Sequence, residues 1–512
     1  MTTSDGVVSM LQPSSLLTNS VGTAQAFRRK LLSDLKVEEV TNLSALRFGL
    51  FADAVDPACI VTLRPTKPDG EPISYVCPKP THSSFDDYRI TVDPQDVQLV
   101  SPYEAANDDR VWSVFIWGGR RDLSLVRKLS GHPTLGQLEK SGVVRTREGI
   151  IRGDKKKRVT RLLERRVLET VGAMPLPDEL DALTLPINSD DRVHSRESTD
   201  LRAFELPQLL IKQAWTKRTG KFEAAVVRNS PGGHGVLCSQ SFLSVSSDAQ
   251  NEVTLNRACV VYNSIVAVYY LLLTSGRFAS YRPEPLVRDL LRVPIPLPEN
   301  KIGGGADKTG ESARSIRDLF ELNESEWSLV EDLFSYTLPD FKGDSQSPGR
   351  LRTTRGEGDE LGVYSEAFIR VLRSGFGSDK RLSARVFEEP SNGYLLPVRM
   401  LVVHLDVPQT RKADIQRERI EPGILLRELE RLCSPVANRV PNGGGRTLGK
   451  RFLRLYTSLE VEQRPVPSVV LVKPDQVRYW TRAAALHDAD DVASDVMRWG
   501  IDNVTRGTAR VQ

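Results

Sequence analysis

Cysteine is scarce in this sequence. There are five in 512 residues (Cys59, Cys77, Cys238, Cys259 and Cys433), scattered and with no CxxC pair. That spacing excludes a disulfide framework and a thiolate zinc site, and it suits thiols that fill apolar cores in a reducing compartment. A surplus of charge is also missing. The 70 basic and 66 acidic side chains leave a net charge of +4, so only their distribution can point to a polyanionic partner. No long hydrophobic run is present either. The most continuous one, Ala258 to Leu273, is broken by Asn263 and Ser264 and falls short of the ~20 residues of a membrane span. The first residues lack the basic-then-apolar pattern of a secretory signal. A cytoplasmic protein with no membrane span is expected. Asp488, Asp490 and Asp491 have no paired histidines beside them, so they read as acids at a helix N-terminus and not as metal ligands.

What is present is ordinary for a folded protein: 39% hydrophobic and 27% charged residues, in a chain long enough for two to four domains. Val7–Leu11 and Ala58–Leu63 have the length and β-branched character of strands, and Val37–Leu43 is a weaker third. The helical segment after the first strand places Ala24, Phe27, Leu31 and Leu35 on one face, with Arg28, Arg29 and Lys30 mostly turned away. Strand–helix–strand–strand is the order of a sheet covered by helices. Three strands and one helix do not complete such a domain, so the chain is expected to open part-way through one. Ile73–Val76 and Tyr88–Val92 read as further strands. Val111–Leu129 reads as helix, with Gly118-Gly119 dividing it.

Between Lys140 and Glu169 the balance shifts to eleven basic against four acidic residues, centred on Gly149–Arg158. A solvated face is the plain reading of such a run. A second basic stretch, Lys212–Arg228, carries Trp215 and Phe222 among its cations, a mixture that suits phosphate neutralisation with stacking on bases. Short strands are expected at Leu209–Ile211, Ala224–Val227 and Gly235–Leu237, with the GGHG at Gly232–Gly235 as a hairpin turn. A long buried helix is expected around Val260–Leu273, then a rigid exit at Leu291–Pro298. Lys301–Ser312 has linker composition. A helical hairpin follows, Ser315–Leu322 and then a helix from Glu324 capped by Asn323. Lys342–Asp359 reads as disordered. The last part is expected to form a compact unit with helices at Tyr364–Arg373 and Ile424–Leu432. Its strands are placed near Ala384–Phe387, Pro397–Leu405 and Ser468–Val472, with a turn at Asn442–Gly445 and a closing segment at Arg478–Trp499.

The pieces from Gly6 to Pro298, taken in order, resemble the second half of gamma-type adenine-specific DNA methyltransferases of restriction–modification and phage-defence systems, including the fused type IIG class. GVVSMLQPSSLL is similar to the strand after the catalytic loop, and the helix with FRRKLL follows it. VEEVTNLSALRFGLFADAVDPACIVTL is similar to the last two strands and the loop between them. GVVRTREGIIRGDKKKR resembles the start of a target-recognition domain, and VVYNSIVAVYYLLLTSGR with RVPIPLP resembles the helix and exit that close it.

The resemblance implies that Phe51 stacks on the target adenine once the base leaves the duplex, replacing its lost stacking partners. Without the resemblance, Phe51 reads as a core residue at a strand entrance. It also implies DNA contacts, chiefly to phosphate, from Arg152, Lys155, Lys156, Lys157, Lys217, Arg218 and Lys221. Two family features are absent. There is no Asn/Asp-Pro-Pro-aromatic catalytic loop and no Gly-rich S-adenosylmethionine loop after a strand, so no catalytic residue is assigned in this chain. S-adenosylmethionine is expected for the complete enzyme only, with a separate polypeptide carrying the N-terminal methyltransferase half and double-stranded DNA as the other partner. The expected fold is α/β: a partial Rossmann-like methyltransferase sheet with a helical extension (1–135), an α+β target-recognition domain (136–300), a linker with a helical hairpin (301–360) and a C-terminal α/β unit (361–512) with no assigned role. The expected function is the DNA-binding, specificity-bearing part of a split or truncated adenine methyltransferase. The alternative is a non-enzymatic interaction or DNA-binding subunit of a defence complex. A nuclease in the C-terminal unit lacks the PD…(D/E)xK pattern.

Overall fold

The first sheet of the chain is mixed. Its strands are β1 (Val8–Pro13), β2 (Lys36–Asn42), β3 (Ala58–Arg64), β4 (Ile73–Val76) and β5 (Val97–Val100), in the order β1-β3-β2-β4-β5. β3 runs antiparallel to both neighbours. β1 and β2, joined through the helix Gly22–Asp34, therefore point the same way with β3 reversed between them. β4 is parallel to β2, and β5 is antiparallel to β4. The computed structural model describes residues 6–51, 56–80, 90–169, 176–216, 218–280, 284–297, 315–354, 358–376, 381–388, 397–407, 414–419, 423–424, 427 and 452–500. It divides into two compact units: residues 1–79 with 97–334, and residues 80–96 with 335–512.

In the first unit, Val40, Val61, Leu63, Ile73 and Tyr75 are buried, and Tyr75 packs on Trp112 and Phe115 of the helix Arg110–Trp117. The glycine pair ends that helix as expected, and a second one, Arg120–Leu129, begins after it. The helix Gly22–Asp34 departs from expectation. Its buried residues are Arg28 and Leu32, while Phe27 is 54% exposed. The reason is polar. The Arg28 guanidinium donates to the carbonyls of Leu16 at 3.1 Å and Asn19 at 2.8 Å and pairs with Asp109 at 3.0 Å. Those bonds roll the helix so that the arginine points inward. β1 is also unusual. No residue in it is buried, and Met10 and Leu11 are 40% and 58% exposed, whereas a strand of a helix-covered sheet ordinarily buries at least one face.

The second sheet of this unit is built from β6 (Val144–Glu148), β7 (Arg152–Arg158), β8 (Val167–Leu168), β9 (Glu179–Asp181), β10 (Arg192–Val193), β11 (Gln208–Lys212), β12 (Ala224–Arg228), β13 (Leu237–Cys238) and β14 (Phe242–Ser247). Five of them pair in the order β6-β14-β11-β12-β9, and β10-β7 and β13-β8 form two short ribbons. The Gly232–Gly235 segment makes a turn with positive φ at Gly232 and Gly233. It is not a hairpin turn, because β12 pairs with β11 and β9 while β13 pairs with β8. The expected long helix is two helices, Glu252–Tyr262 and Ile265–Thr274, bent by 75°. Asn263 makes the break, accepting the Ala224 N–H at 2.8 Å and donating to the Ala224 carbonyl at 2.9 Å and to Asp178 at 2.8 Å. Among the described residues no single helix is long and apolar enough to cross a membrane. Asn323 caps the helix Glu324–Asp332 reciprocally with Glu326, as its sequence predicts.

The second unit carries β15 (Ser383–Glu388), β16 (Val398–His404), β17 (Ile415–Arg419), β18 (Leu453–Val461) and β19 (Arg464–Pro474), ordered β17-β15-β16-β19-β18. The helices Glu360–Phe376 and Arg482–Trp499 cover one face, where Leu361, Tyr364, Phe368, Ala489 and Val492 pack on Val386, Leu401, Val403 and Leu471. Two expectations change here. Residues 342–354 are built into the unit: Arg350 pairs with Asp340 at 2.7 Å, both buried, and Thr353 donates to Asp475 at 2.6 Å. Asp488 and Asp491 do not sit at a helix N-terminus, since the helix begins at Arg482 with Thr481 as its cap. They face cations instead. Asp488 pairs with Lys473, and Arg454 pairs with Asp491 at 2.7 Å and Asp495 at 3.4 Å. The Lys301–Ser312 linker, residues 88–89 of the expected Tyr88–Val92 strand, most of Ile424–Leu432, the Asn442–Gly445 turn and Cys433 lie outside the described residues. The architecture is mixed α/β with three five-stranded mixed sheets; among the described residues no doubly wound parallel sheet is present, and the finer Rossmann-like assignment does not follow from it.

Candidate functional site

The site begins where β1 stops. Pro13 ends the strand, and Ser14 turns the chain by donating its N–H to the Pro57 carbonyl at 2.9 Å while its own carbonyl accepts from Leu17 and Thr18. The Asn19 side chain accepts the Val21 N–H at 3.0 Å, and Arg28 fixes the carbonyls of the same loop. Ser14 is fully buried and its hydroxyl has no hydrogen-bond partner among the described residues. Opposite this loop, β2 ends at Asn42, whose side chain accepts the Ser44 N–H at 2.9 Å and donates to the Tyr75 hydroxyl at 2.8 Å. Tyr75 in turn donates to the Trp112 carbonyl at 2.8 Å. The buried network directs the chain through a single helical turn, Arg47–Leu50, to Phe51, which is extended (φ −129°, ψ 141°) and 42% exposed. Burial pushes the Arg47 guanidinium down to about 10, and its carbon lies 4.3 Å from the Phe48 ring centroid.

A third wall comes from residues beyond the second sheet. Gly276 packs so closely on the loop that an added Cβ would stand 2.5 Å from the Thr18 carbonyl oxygen. Phe278 is buried against Phe222 and Trp215, and the Trp117 indole donates to the Ala279 carbonyl at 2.7 Å. Asp289 accepts from the Ser275 hydroxyl at 2.8 Å and from the Leu286 N–H at 3.3 Å, tying residues 275–280 to 286–289. The three walls enclose a cavity of about 750 Å³ lined by Ser14, Asn19, Phe51, Asp56, Arg277 and Arg288 among others. A second cavity, of about 640 Å³, is lined by Glu148, Lys212, Gln213, Gln240 and Ser241, and it shares Arg277, Leu286 and Arg288 with the first. Both volumes lie in the range of ligand sites.

Of the residues singled out from sequence, Phe51 lines the first cavity. Lys157, Arg218 and Lys221 line neither. Lys157 is half-buried and donates to the Glu197 carbonyl at 2.8 Å. The Glu197 carboxylate accepts from Arg147 and from the Ile151 N–H, so part of this basic run holds the local fold together. Gly149 is needed there, because a Cβ would overlap the Ser239 carbonyl. Arg218 is exposed and Lys221 half-buried. Arg152, Lys155 and Lys156 lie on β7, with side chains outside the described residues, and Lys217 is outside them altogether. Trp215 and Phe222 are buried, at 6% and 0% exposure, and cannot stack on a base. Sequence reasoning missed Arg277 and Arg288. The available signal was a lone arginine just after the buried run ending at Thr274 and another just before Leu291–Pro298.

β1 and β2 end in Pro13-Ser14 and Asn42-Leu43, and the glycines at 232–233 form an exposed turn between β12 and β13. No group of three or more His, Cys, Asp or Glu side chains suited to a metal occurs among the described residues.

No known family model matches the chain, and no curated protein matches its sequence. Among solved structures it has a weak structural resemblance to the type IIG restriction endonuclease BpuSI, with 12% identity over 66% of this chain and 47% of that enzyme, at a TM-score of 0.24. The chain thus spans less than half the length of that enzyme, and the likeness assigns no role to any residue.

Proposed function

We propose that this chain is the DNA-binding, specificity-bearing part of an adenine-specific DNA methyltransferase, acting with a separate polypeptide that carries the donor site and the catalytic loop. The observation that carries the reading is the position of Phe51. An aromatic side chain left exposed on a ligand-sized cavity has the means to replace the stacking that an extruded base loses. The cavity is walled partly by the first sheet and partly by segments that close the second, which suits a base delivered by DNA held along the second sheet. In this reading Arg152, Lys155, Lys156, Lys157, Lys217, Arg218 and Lys221 contact phosphate, and methyl transfer from S-adenosylmethionine requires the partner. β1 supports such a partner. Its outer edge pairs with no strand among the described residues, and Val7, Met10, Leu11 and the nearby Phe27 expose apolar surface.

The test is titration of a fluorescein-labelled 30-bp duplex with the full chain from 50 to 200 mM salt. Affinity should fall steeply, by about 10³-fold or more for six phosphate contacts. Flat salt dependence defeats the reading, as does methyl transfer to DNA by this chain alone. The apolar β1 edge also favours a second reading, a non-enzymatic docking subunit. That subunit would bind its protein partner and show no affinity for duplex DNA.

A further inference from the structure

Arg277 and Arg288 stand on both cavities at once, with Leu286 between them. Their surroundings leave them available. Glu284 approaches Arg277 only to 3.9 Å, beyond hydrogen-bond reach. The exposed Arg288 guanidinium has neither a hydrogen bond nor an ion pair among the described residues. Their backbones, in contrast, are fixed by Asp289 and by the packing of Gly276 on Thr18. Two arginines common to the linings of both cavities offer guanidinium groups to an anion.

The remaining charges decide what the cavities themselves accept. Arg277, Arg288 and Lys212 are set against four carboxylates, Asp56, Asp289, Glu148 and Glu284. Neither cavity is therefore a general anion trap. Lys212 is engaged by Glu223 at 3.4 Å, and Glu148 accepts from Gln213 at 3.0 Å. The second cavity is also lined by amide and hydroxyl side chains, Gln213, Gln240 and Ser241, of the kind that reads the edges of neutral bases. The first offers the Phe51 ring.

We propose that the two cavities take consecutive nucleotides of one DNA strand, with the phosphodiester between them gripped by Arg277 and Arg288. The extruded base occupies the Phe51 cavity and its neighbour meets Gln213 and Gln240. This rests on the DNA-binding reading above.

The experiment uses the full chain and the same labelled duplex. R277Q/R288Q should bind at least about tenfold more weakly at 100 mM salt, with the log–log salt slope reduced by about 2. R277K/R288K should keep the wild-type slope, because lysine still neutralises phosphate; loss of the slope in both pairs assigns the arginines to folding and overturns the proposal. K30Q/K67Q, which alters exposed cations away from both cavities, should change nothing. Q240W fills the second cavity and should weaken binding with the slope intact; unaltered affinity removes the second nucleotide. A wild-type chain that does not bind DNA defeats the reading on which this rests. Wild-type binding with an unchanged R277Q/R288Q variant defeats this inference alone.

Discussion

The buried Asp289 carboxylate accepts the Ser275 hydroxyl at 2.8 Å, so two separate stretches of the cavity wall hang on one side chain. Asp289→Ala removes the acceptor of two buried donors and should cost about 1–3 kcal/mol. Ser275→Ala, which leaves the Leu286 bond in place, should cost less. Thermal melts of the two variants check the order, and a D289A melt indistinguishable from wild type would remove the carboxylate from this role.

Gly276→Ala probes the opposite side of the wall. The new methyl would meet Thr18 at 2.5 Å from its carbonyl oxygen and 2.8 Å from its Cβ, and backbone cannot give way as a flexible side chain can. A loss of about 1–3 kcal/mol is expected, as for overpacking in general, and urea unfolding midpoints measure it.

The pair of buried Lys473 and half-buried Asp488 sets an acid limit on the second unit. Lys473 Nζ also donates to the Tyr479 carbonyl at 2.8 Å and lies 4.4 Å and 4.8 Å from the ring centroids of Tyr364 and Trp480, while Tyr364 donates to Asp488 at 2.6 Å. Burial works against the charged form of Asp488, but the cations of Lys473 and Arg454 outweigh it and hold its pKa below the usual carboxylate value. Its stabilising share is therefore complete above the unfolded aspartate pKa of about 4 and is lost as pH falls through the lower folded value. Denaturation midpoints should drop below about pH 4 in the wild type and fall less in D488N. Lys473→Met, which removes the nearest cation from the carboxylate, should lower the thermal midpoint of the second unit.

The thiols offer a chemical check. Cys59, Cys77, Cys238 and Cys259 are buried thiols that form no disulfide among the described residues. Burial pushes Cys59 and Cys259 up to about 12 and raises Cys238 as well. At pH 8 the thiolate fraction of Cys59 and Cys259 is on the order of 10⁻⁴. These four cysteines should resist a disulfide reagent until the chain is unfolded, and rapid labelling of any of them in native protein would contradict the packing.

Phe51→Ala separates binding from stability. The ring is 42% exposed, so its removal should change stability by less than about 0.5 kcal/mol. Loss of a stacked base should weaken DNA binding by about 1–3 kcal/mol. Equal losses of stability and affinity would make it an ordinary packing residue.

The parts of this fold written in local chemistry could be read directly. β-branched runs located β3, β11 and β12, Gly118-Gly119 marked a helix break and Asn323 a cap. The parts set by distant partners could not. Nothing near Arg28 in sequence reveals that its acceptors are Leu16, Asn19 and Asp109, so periodicity put Phe27 inside and the arginine outside. The same holds for Asp488 and Asp491, whose cations sit on β19 and β18, and for Trp215 and Phe222, which looked like stacking platforms and pack on Phe278. Within the site, Phe51 came from resemblance alone. Arg277 and Arg288 acquire meaning only when the bend at Asn263 and the contact of Gly276 with Thr18 place them beside it.

The course of the chain between the two units has a genetic consequence. Residues 80–96 belong with 335–512, although residues on both sides of them belong to the other unit, and Asp93 accepts the Tyr479 hydroxyl. No single stop codon or end-on fusion can deliver one unit without leaving a fragment of the other behind. A gene shortened after residue 334 would still encode Asp93 and would lack Tyr479. Recombination that exchanges one unit must therefore either spare residues 80–96 or carry both ends of this excursion.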